Sequence, residues 1–219
     1  KNFERALEIN PAYFPATANL ASLDLQEKNP AAAKKRFETV LVKDKDNMQA
    51  MLALANLAAA NKQSQETLEW IKKARTAHPK AAQPSLALVR YYLQVGDAKQ
   101  AVIAAQEAQN QSPDNPELLD LLGMAQLSAE QNSEAISTFE KLSKLNPDSP
   151  VGYYRTAQAE LAAKNPRAAE SSLKKALGLK PDFLDAQVAL TGIHVGAQRF
   201  NEALAVANDA IKTSPKSPA

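Results

Sequence analysis

The sequence has no cysteine, only six glycines, and 5% aromatic residues in a chain of 219. Without cysteine the chain forms neither disulfides nor thiolate metal sites, a composition compatible with either the cytosol or the periplasm. The scarcity of glycine and aromatic residues favours helices over sheets. No apolar run approaches the roughly 18 residues that would span a bilayer.

Residues typical of catalytic sites are also scarce. The two histidines, His78 and His194, are more than a hundred residues apart, so they predict neither a base-nucleophile pair nor a metal site. Carboxylate pairs such as Glu66 and Glu69 have the spacing of an ordinary solvated helix face. The sequence therefore predicts no enzyme activity, no cofactor and no bound metal.

Charge is balanced along the chain. The 26 basic and 24 acidic residues give a formal net charge of +2 and are interspersed. This distribution lacks the basic surface typical of proteins that bind nucleic acid or anionic membranes. We therefore expect a partner of another kind.

Prolines recur with a period of 34 residues. The series is Pro11, Pro79, Pro113, Pro147, Pro181 and Pro215, and Lys45 occupies the missing position. A fixed period of this length is typical of a helix-turn-helix solenoid, in which each repeat buries its apolar faces by stacking on its neighbours. The period predicts an all-α array of antiparallel helix pairs.

The period divides the chain into repeats. The predicted boundaries are 14–47, 48–81, 82–115, 116–149, 150–183 and 184–217, within a single array spanning 1–219. Residues 1–13 match the end of an earlier repeat. We therefore expect the chain to be a fragment of a longer protein.

The repeats resemble those of the tetratricopeptide repeat family. The family pattern is matched in one repeat by Leu119, Leu122, Gly123, Ala135, Phe139 and Pro147, and in the next by Tyr153, Ala157, Ala169, Leu173, Ala176 and Pro181. The resemblance implies a right-handed superhelical solenoid whose first helices line a concave groove that binds proteins or peptides.

The same resemblance implies which side chains would face that groove. They include Asn19, Asn56, Leu86, Arg90, Asp120, Met124, Tyr154, Arg155 and Gln158. Arginine and tyrosine often anchor interfaces, so Arg90, Tyr154 and Arg155 are the leading candidates. Two alternatives remain open: Arg90 could pair with a neighbouring acid, and Tyr154 could shield a helix joint.

Two departures from the family pattern carry further predictions. Gln126 and His194 stand where the family has an aromatic residue, so we expect less complete packing around them. The family's usual solubilising end helix is absent from this sequence, so we expect Ala203, Ala207, Ala210 and Ile211 to be uncovered if the chain stops at Ala219. Exposed apolar ends predict end-to-end self-association.

The predicted function is a non-catalytic scaffold that binds protein or peptide. The ungapped repeats rich in alanine, glutamine, asparagine and lysine also resemble the repeat lipoproteins of bacterial PEP-CTERM (exosortase) and exopolysaccharide systems. That resemblance implies a periplasmic or outer-membrane-anchored parent in polysaccharide export or surface-protein sorting; the alternative is a cytoplasmic location. Alternative functions are an exopolysaccharide-binding solenoid and a regulatory arm of a larger enzyme.

Overall fold

The computed structural model describes residues 2–213, which form thirteen α-helices and no strand. The helices are α1 (Asn2–Ile9), α2 (Phe14–Gln26), α3 (Pro30–Lys43), α4 (Met48–Ala60), α5 (Ser64–Ala77), α6 (Ala82–Gln94), α7 (Ala98–Gln111), α8 (Pro116–Ser128), α9 (Asn132–Leu145), α10 (Pro150–Ala162), α11 (Pro166–Leu179), α12 (Leu184–Gly196) and α13 (Phe200–Thr213). The all-α prediction is confirmed. Lys1, Pro215 and the end of the last predicted repeat lie outside the described residues.

The helices follow the predicted repeat. Helices α2, α4, α6, α8, α10 and α12 begin at the first residues of the six predicted repeats. Each of these first helices has 13 residues, and each second helix has 14. The turn at Lys45 is kept without proline, because Asn47 donates its backbone N–H to the Asp44 carbonyl at 3.1 Å.

Short polar side chains begin several helices. The Asn29 and Asn165 side chains accept the backbone N–H groups of the third residues of α3 and α11, and a proline fills the first helical position in both. Asp97 caps α7 in the same way. These caps satisfy N–H groups that have no partner within the helix.

Each first helix ends in a left-handed turn. The residues with positive φ, between 58° and 77°, are Lys28, Lys62, Gly96, Glu130, Lys164 and Gln198. The residue after each one donates its N–H back to the helix, as Asn165 does to the Glu160 carbonyl at 2.8 Å. This is the Schellman arrangement, which satisfies carbonyls at the helix end and reverses the chain into the second helix.

The chain divides into two compact units, which are described separately: unit 1 covers residues 1–91 and unit 2 covers residues 92–219. The core of unit 1 includes Ala21, Ala33, Phe37, Leu54 and Leu57. The core of unit 2 includes Leu119, Ala135, Phe139, Leu142, Ala159, Ala157, Ala169, Leu173, Ala176, Ala186, Leu190 and Ile193. Each core combines alanines with larger aliphatic or aromatic side chains, so helices approach closely.

Glycine makes two of these close approaches possible in unit 2. A Cβ on Gly123 would collide with the ring of Phe139, and a Cβ on Gly152 would lie 2.9 Å from the backbone of Ser143. Phe139 is fully buried as a result. These contacts hold α9 against α8 and α10.

The two residues that stand where the family has an aromatic side chain are buried, contrary to the expectation of incomplete packing. Gln126 is 5% exposed and His194 is 2% exposed. The amide oxygen of Gln126 accepts the Thr138 hydroxyl at 2.7 Å, which satisfies a polar group inside the core. The hydrogen-bonded pair of Gln126 and Thr138 therefore packs at this position in place of an aromatic ring.

The last helix is partly covered. Ala203, expected to be uncovered, is buried, which corrects that prediction. Ile211, by contrast, is 61% exposed, as are Phe200 and Leu204 to similar degrees. An apolar strip on α13 therefore lies open to solvent within the described residues.

Candidate partner-binding surface

The structure brings four of the predicted contact residues together in unit 2. Asp120 lies on α8, and Tyr154, Arg155 and Gln158 lie on α10. The guanidinium of Arg155 donates to both carboxylate oxygens of Asp120, at 2.8 and 3.3 Å. We call these four residues the Asp120–Arg155 network.

The network continues along α10. Arg155 donates a third hydrogen bond to the amide oxygen of Gln158 at 3.1 Å. The amide nitrogen of Gln158 then donates to the Tyr154 hydroxyl, also at 3.1 Å. One polar chain therefore runs from a carboxylate to a phenol across two helices.

Tyr154 joins this polar chain to the core. Its ring lies 5.1 Å from the ring of Phe183, which immediately precedes α12. Both rings pack against the core cluster that contains Leu173 and Leu190. Tyr154 therefore shields a helix joint, as the alternative proposed, while its hydroxyl belongs to the network.

The network is half-buried. The side chains of Arg155 and Asp120 are 25% and 28% exposed. A two-pronged arginine–carboxylate pair in this setting fixes both side chains in one geometry. Arg155 uses three of its five N–H groups in these bonds, so it keeps donor capacity for another molecule.

The other predicted residues have different environments. Leu86 is 6% exposed, so the prediction that it contacts a partner is wrong: its side chain contributes to the core. Met124 is half-buried and packs against the cluster around Phe139. In unit 1, Asn19, Asn56 and Arg90 lie on α2, α4 and α6, and all three are exposed.

A cluster of charged residues that sequence reasoning missed lies at the other end of unit 2. Potential ligand atoms of Glu170, His194 and Glu202 all lie within 4.8 Å of one another. The guanidinium of Arg199 already contacts both carboxylates, at 2.5 Å for Glu170 and 3.0 Å for Glu202. Arg199 thus bridges the two carboxylates, and we assign the cluster as an ion-pair link between α11 and α13.

The electrostatics of this cluster follow from those contacts. Hydrogen bonds from Arg199 and then Lys174 lower the pKa of Glu170 from 4.5 to about 2. Nδ1 of His194 has no hydrogen-bond partner among the described residues and lies 3.5 Å from Glu202. His194 is therefore a member of the cluster by position, but its Nδ1 makes no hydrogen bond there.

One further carboxyl group has a shifted pKa. Burial raises the pKa of Glu160, and the nearby Ser172 hydroxyl partly opposes that effect. Both residues line a recess of about 580 Å³. His194, in contrast, belongs to the separate cluster with Glu170 and Glu202. The described residues therefore place Glu160 in a recess without the histidine that a base-nucleophile pair would use.

Several solved structures similar to this chain are repeat proteins. YrrB, described as a TPR protein with an unusual peptide-binding site, is 21% identical and has a TM-score of 0.64 over 86% of this chain and 97% of its own. TTC0263 from Thermus thermophilus is 21% identical, with a TM-score of 0.60 over 78% of this chain and 93% of its own. MamA from Desulfovibrio magneticus RS-1 is 16% identical, with a TM-score of 0.65 over 80% of this chain and 97% of its own.

These similarities establish the fold, and family profiles establish the family. A search of curated proteins found no match. Two profiles, both described as tetratricopeptide repeat, match residues 92–161 and 160–219 in one case and 18–82 in the other. Within residues 2–213, each helix falls short of the length and apolarity needed to cross a membrane. The chain belongs to the tetratricopeptide repeat family.

Proposed function

We propose that the chain is a non-catalytic scaffold that binds a protein or peptide at the Asp120–Arg155 network of unit 2. The observation that carries this proposal is the two-pronged contact of Arg155 with Asp120, at 2.8 and 3.3 Å, on the surface of α8 and α10. A guanidinium held in one orientation loses little side-chain entropy when a partner accepts its remaining N–H groups.

Tyr154 adds the second part of this surface. Its ring is fixed by Phe183, and its hydroxyl is oriented by Gln158. Arginine and tyrosine in fixed positions are the residues that most often dominate the binding energy of an interface. The network therefore combines directional hydrogen bonding with a rigid aromatic contact.

The family supports a polypeptide partner. YrrB, which shares this fold, is described as having a peptide-binding site. Amide side chains could bind a polysaccharide by hydrogen bonds to sugar hydroxyls, but some of them are engaged within the chain: Gln158 bonds Arg155 and Tyr154, and Asn19 donates to the Pro15 carbonyl at 2.7 Å. A role in exopolysaccharide export or surface-protein sorting stays a prediction from the sequence resemblance.

Site-specific photocrosslinking tests the proposed surface. Val151 is 42% exposed and lies one turn before Arg155 on the same face of α10. A photoreactive residue at Val151 should crosslink a partner in cells of the source organism, whereas one at the exposed Ser137 on α9 should not. Equal crosslinking at the two positions, or none at Val151, would refute the proposal.

Calorimetry distinguishes a polypeptide partner from the alternative, a polysaccharide ligand. Binding heat with extracted exopolysaccharide, combined with no binding of the crosslinked protein after purification, would overturn a polypeptide partner. We expect the reverse, namely measurable heat with the purified protein and none with the polymer.

A further inference from the structure

Unit 2 contains a second recess, which we call the α12 pocket. Its volume is about 810 Å³, and it is bounded by α10, α11, α12 and the turn before α13. Leu161, Ala189 and Ile193 form its apolar wall, and Gly192 and Gly196 lie between them. This volume falls within the range of roughly 300–1,000 Å³ typical of ligand sites.

The pocket is open because of its two glycines. Gly192 lies inside α12 and Gly196 is its last residue, and a Cβ built on either would meet no atom within 4 Å. Gly123 and Gly152 differ, because packing excludes a Cβ at both. A glycine within a helix costs about 1 kcal/mol relative to alanine, and no packing contact of Gly192 explains that cost.

The preceding repeat of unit 2 carries side chains at the same positions. Gln158 and Ala162 on α10 correspond to Gly192 and Gly196 on α12, one period of 34 residues later. Gln158 fills its position by bonding to Arg155 and Tyr154. The pocket is therefore a feature of α12 and is not a general consequence of the repeat.

The charges around the pocket favour an acidic ligand. Glu170 and Arg199 line it and neutralise each other through contacts as short as 2.5 Å. Arg167, in the first turn of α11, also lines it, is exposed, and makes no hydrogen bond or ion pair with any described residue.

We propose that the α12 pocket binds a short extended segment of a partner polypeptide that carries an aliphatic side chain next to an acidic residue. The aliphatic group enters the space left by Gly192 and Gly196, and the carboxylate pairs with Arg167. This inference rests on the proposed function, because it assigns a segment of the same polypeptide partner to a second site in unit 2.

A polypeptide fits this recess better than a small metabolite. Small-molecule sites place several converging polar groups around an apolar cavity. In the α12 pocket, Glu170 and Arg199 form an ion pair with each other. Arg167 is then the cationic group that remains for a ligand at one edge of the pocket. One apolar space beside one charge matches two neighbouring side chains of a peptide.

Nuclear magnetic resonance of the full chain with synthetic peptides tests the inference. The probes are capped Gly-Ser peptides with a central Leu-Asp, and matched peptides with Leu-Lys or Ala-Asp. We expect Leu-Asp to shift the amide signals of Gly192 and Gly196, with an affinity about tenfold higher than either matched peptide, which is the effect of one lost contact of about 1.4 kcal/mol.

Substitutions test whether the shifts of the amide signals arise from peptide binding in the α12 pocket. Gly192→Leu places an aliphatic side chain in the pocket, where a Cβ meets no atom within 4 Å, and should abolish the Leu-Asp shifts. Gly178→Leu is the matched control, because that glycine also faces open space but lies on α11 outside the pocket. Arg167→Glu should reverse the preference toward Leu-Lys.

The outcomes also separate this inference from the proposed function. Shifts confined to Asp120 and Arg155 would refute the pocket and leave the proposed function standing. Absence of shifts at Gly192 and Gly196 with saturating Leu-Asp, or unchanged affinity in Gly192→Leu with an intact thermal transition, would also refute the pocket. Loss of crosslinking at Val151 with retained Leu-Asp binding would refute only the proposed function.

Discussion

Among residues 2–213, the residue with positive φ after each first helix is glycine only at Gly96. Lysine, glutamate or glutamine adopts the same conformation in the other five repeats, at φ near 58–60°. A side chain in this region costs on the order of 1 kcal/mol. The Schellman hydrogen bonds that reverse the chain offset this cost.

Replacing Gly96 or Gly178 with alanine should change the free energy of unfolding in opposite directions, because the two glycines differ in backbone conformation. A Cβ on Gly96 or on Gly178 meets no atom within 4 Å, but only Gly96 has positive φ, at 77°. We expect Gly96→Ala to lower the free energy of unfolding by about 1 kcal/mol and Gly178→Ala to raise it by up to about 1 kcal/mol. Urea denaturation of both variants measures the effects, and a shift of the same sign in both would contradict this account.

At the scale of elements, close helix contacts in unit 2 depend on glycine. A Cβ on Gly152 would lie 2.6 Å from the Ser143 hydroxyl and 2.9 Å from the Ser143 backbone. Because the obstacle includes backbone, it cannot rotate away. The contact of α9 with α10 therefore requires glycine at this position.

Gly152→Ala should force α9 and α10 apart. We expect a loss of about 1–3 kcal/mol in the free energy of unfolding, the usual cost of overpacking. Chemical denaturation followed by circular dichroism measures it. Gly178→Ala is again the control, and an unchanged midpoint for Gly152→Ala would show that the two helices are not in the described contact.

The link between α11 and α13 should respond to pH. Arg199 and Lys174 lower the pKa of Glu170 from 4.5 to about 2, so folding favours its ionised form. The stabilisation is complete above about pH 4.5 and is lost as the pH falls through about 2. Thermal unfolding of Glu170→Gln should therefore depend less on pH in this window than that of the wild type, and identical pH profiles would contradict the assignment.

At the scale of the molecule, the period of 34 predicted the helices well and their lateral contacts poorly. Apolar spacing and proline fix where each helix begins, because these are local properties of the chain. The bond between Asp120 and Arg155 joins residues 35 apart, and its existence depends on how two helices pack. Position within the repeat alone could not reveal it.

The same limit explains the errors at single positions. Leu86 occupies the same place in its repeat as Asp120 and Tyr154, yet it is buried. The α12 pocket was not predicted, because the sequence pattern identifies Gly192 and Gly196 only as residues of a helix. Equivalent positions share a backbone conformation, whereas their side-chain neighbours differ from repeat to repeat.

The most direct test of a polypeptide-binding surface is a titration of the crosslinked, purified partner against Arg155→Lys. Lysine keeps the charge but loses the fork that holds Asp120 and the bond to Gln158. We predict that the affinity falls about tenfold or more, while Lys99→Arg, an exposed change on α7, has no effect. Equal affinities for wild type and Arg155→Lys, with both proteins folded, would contradict the account.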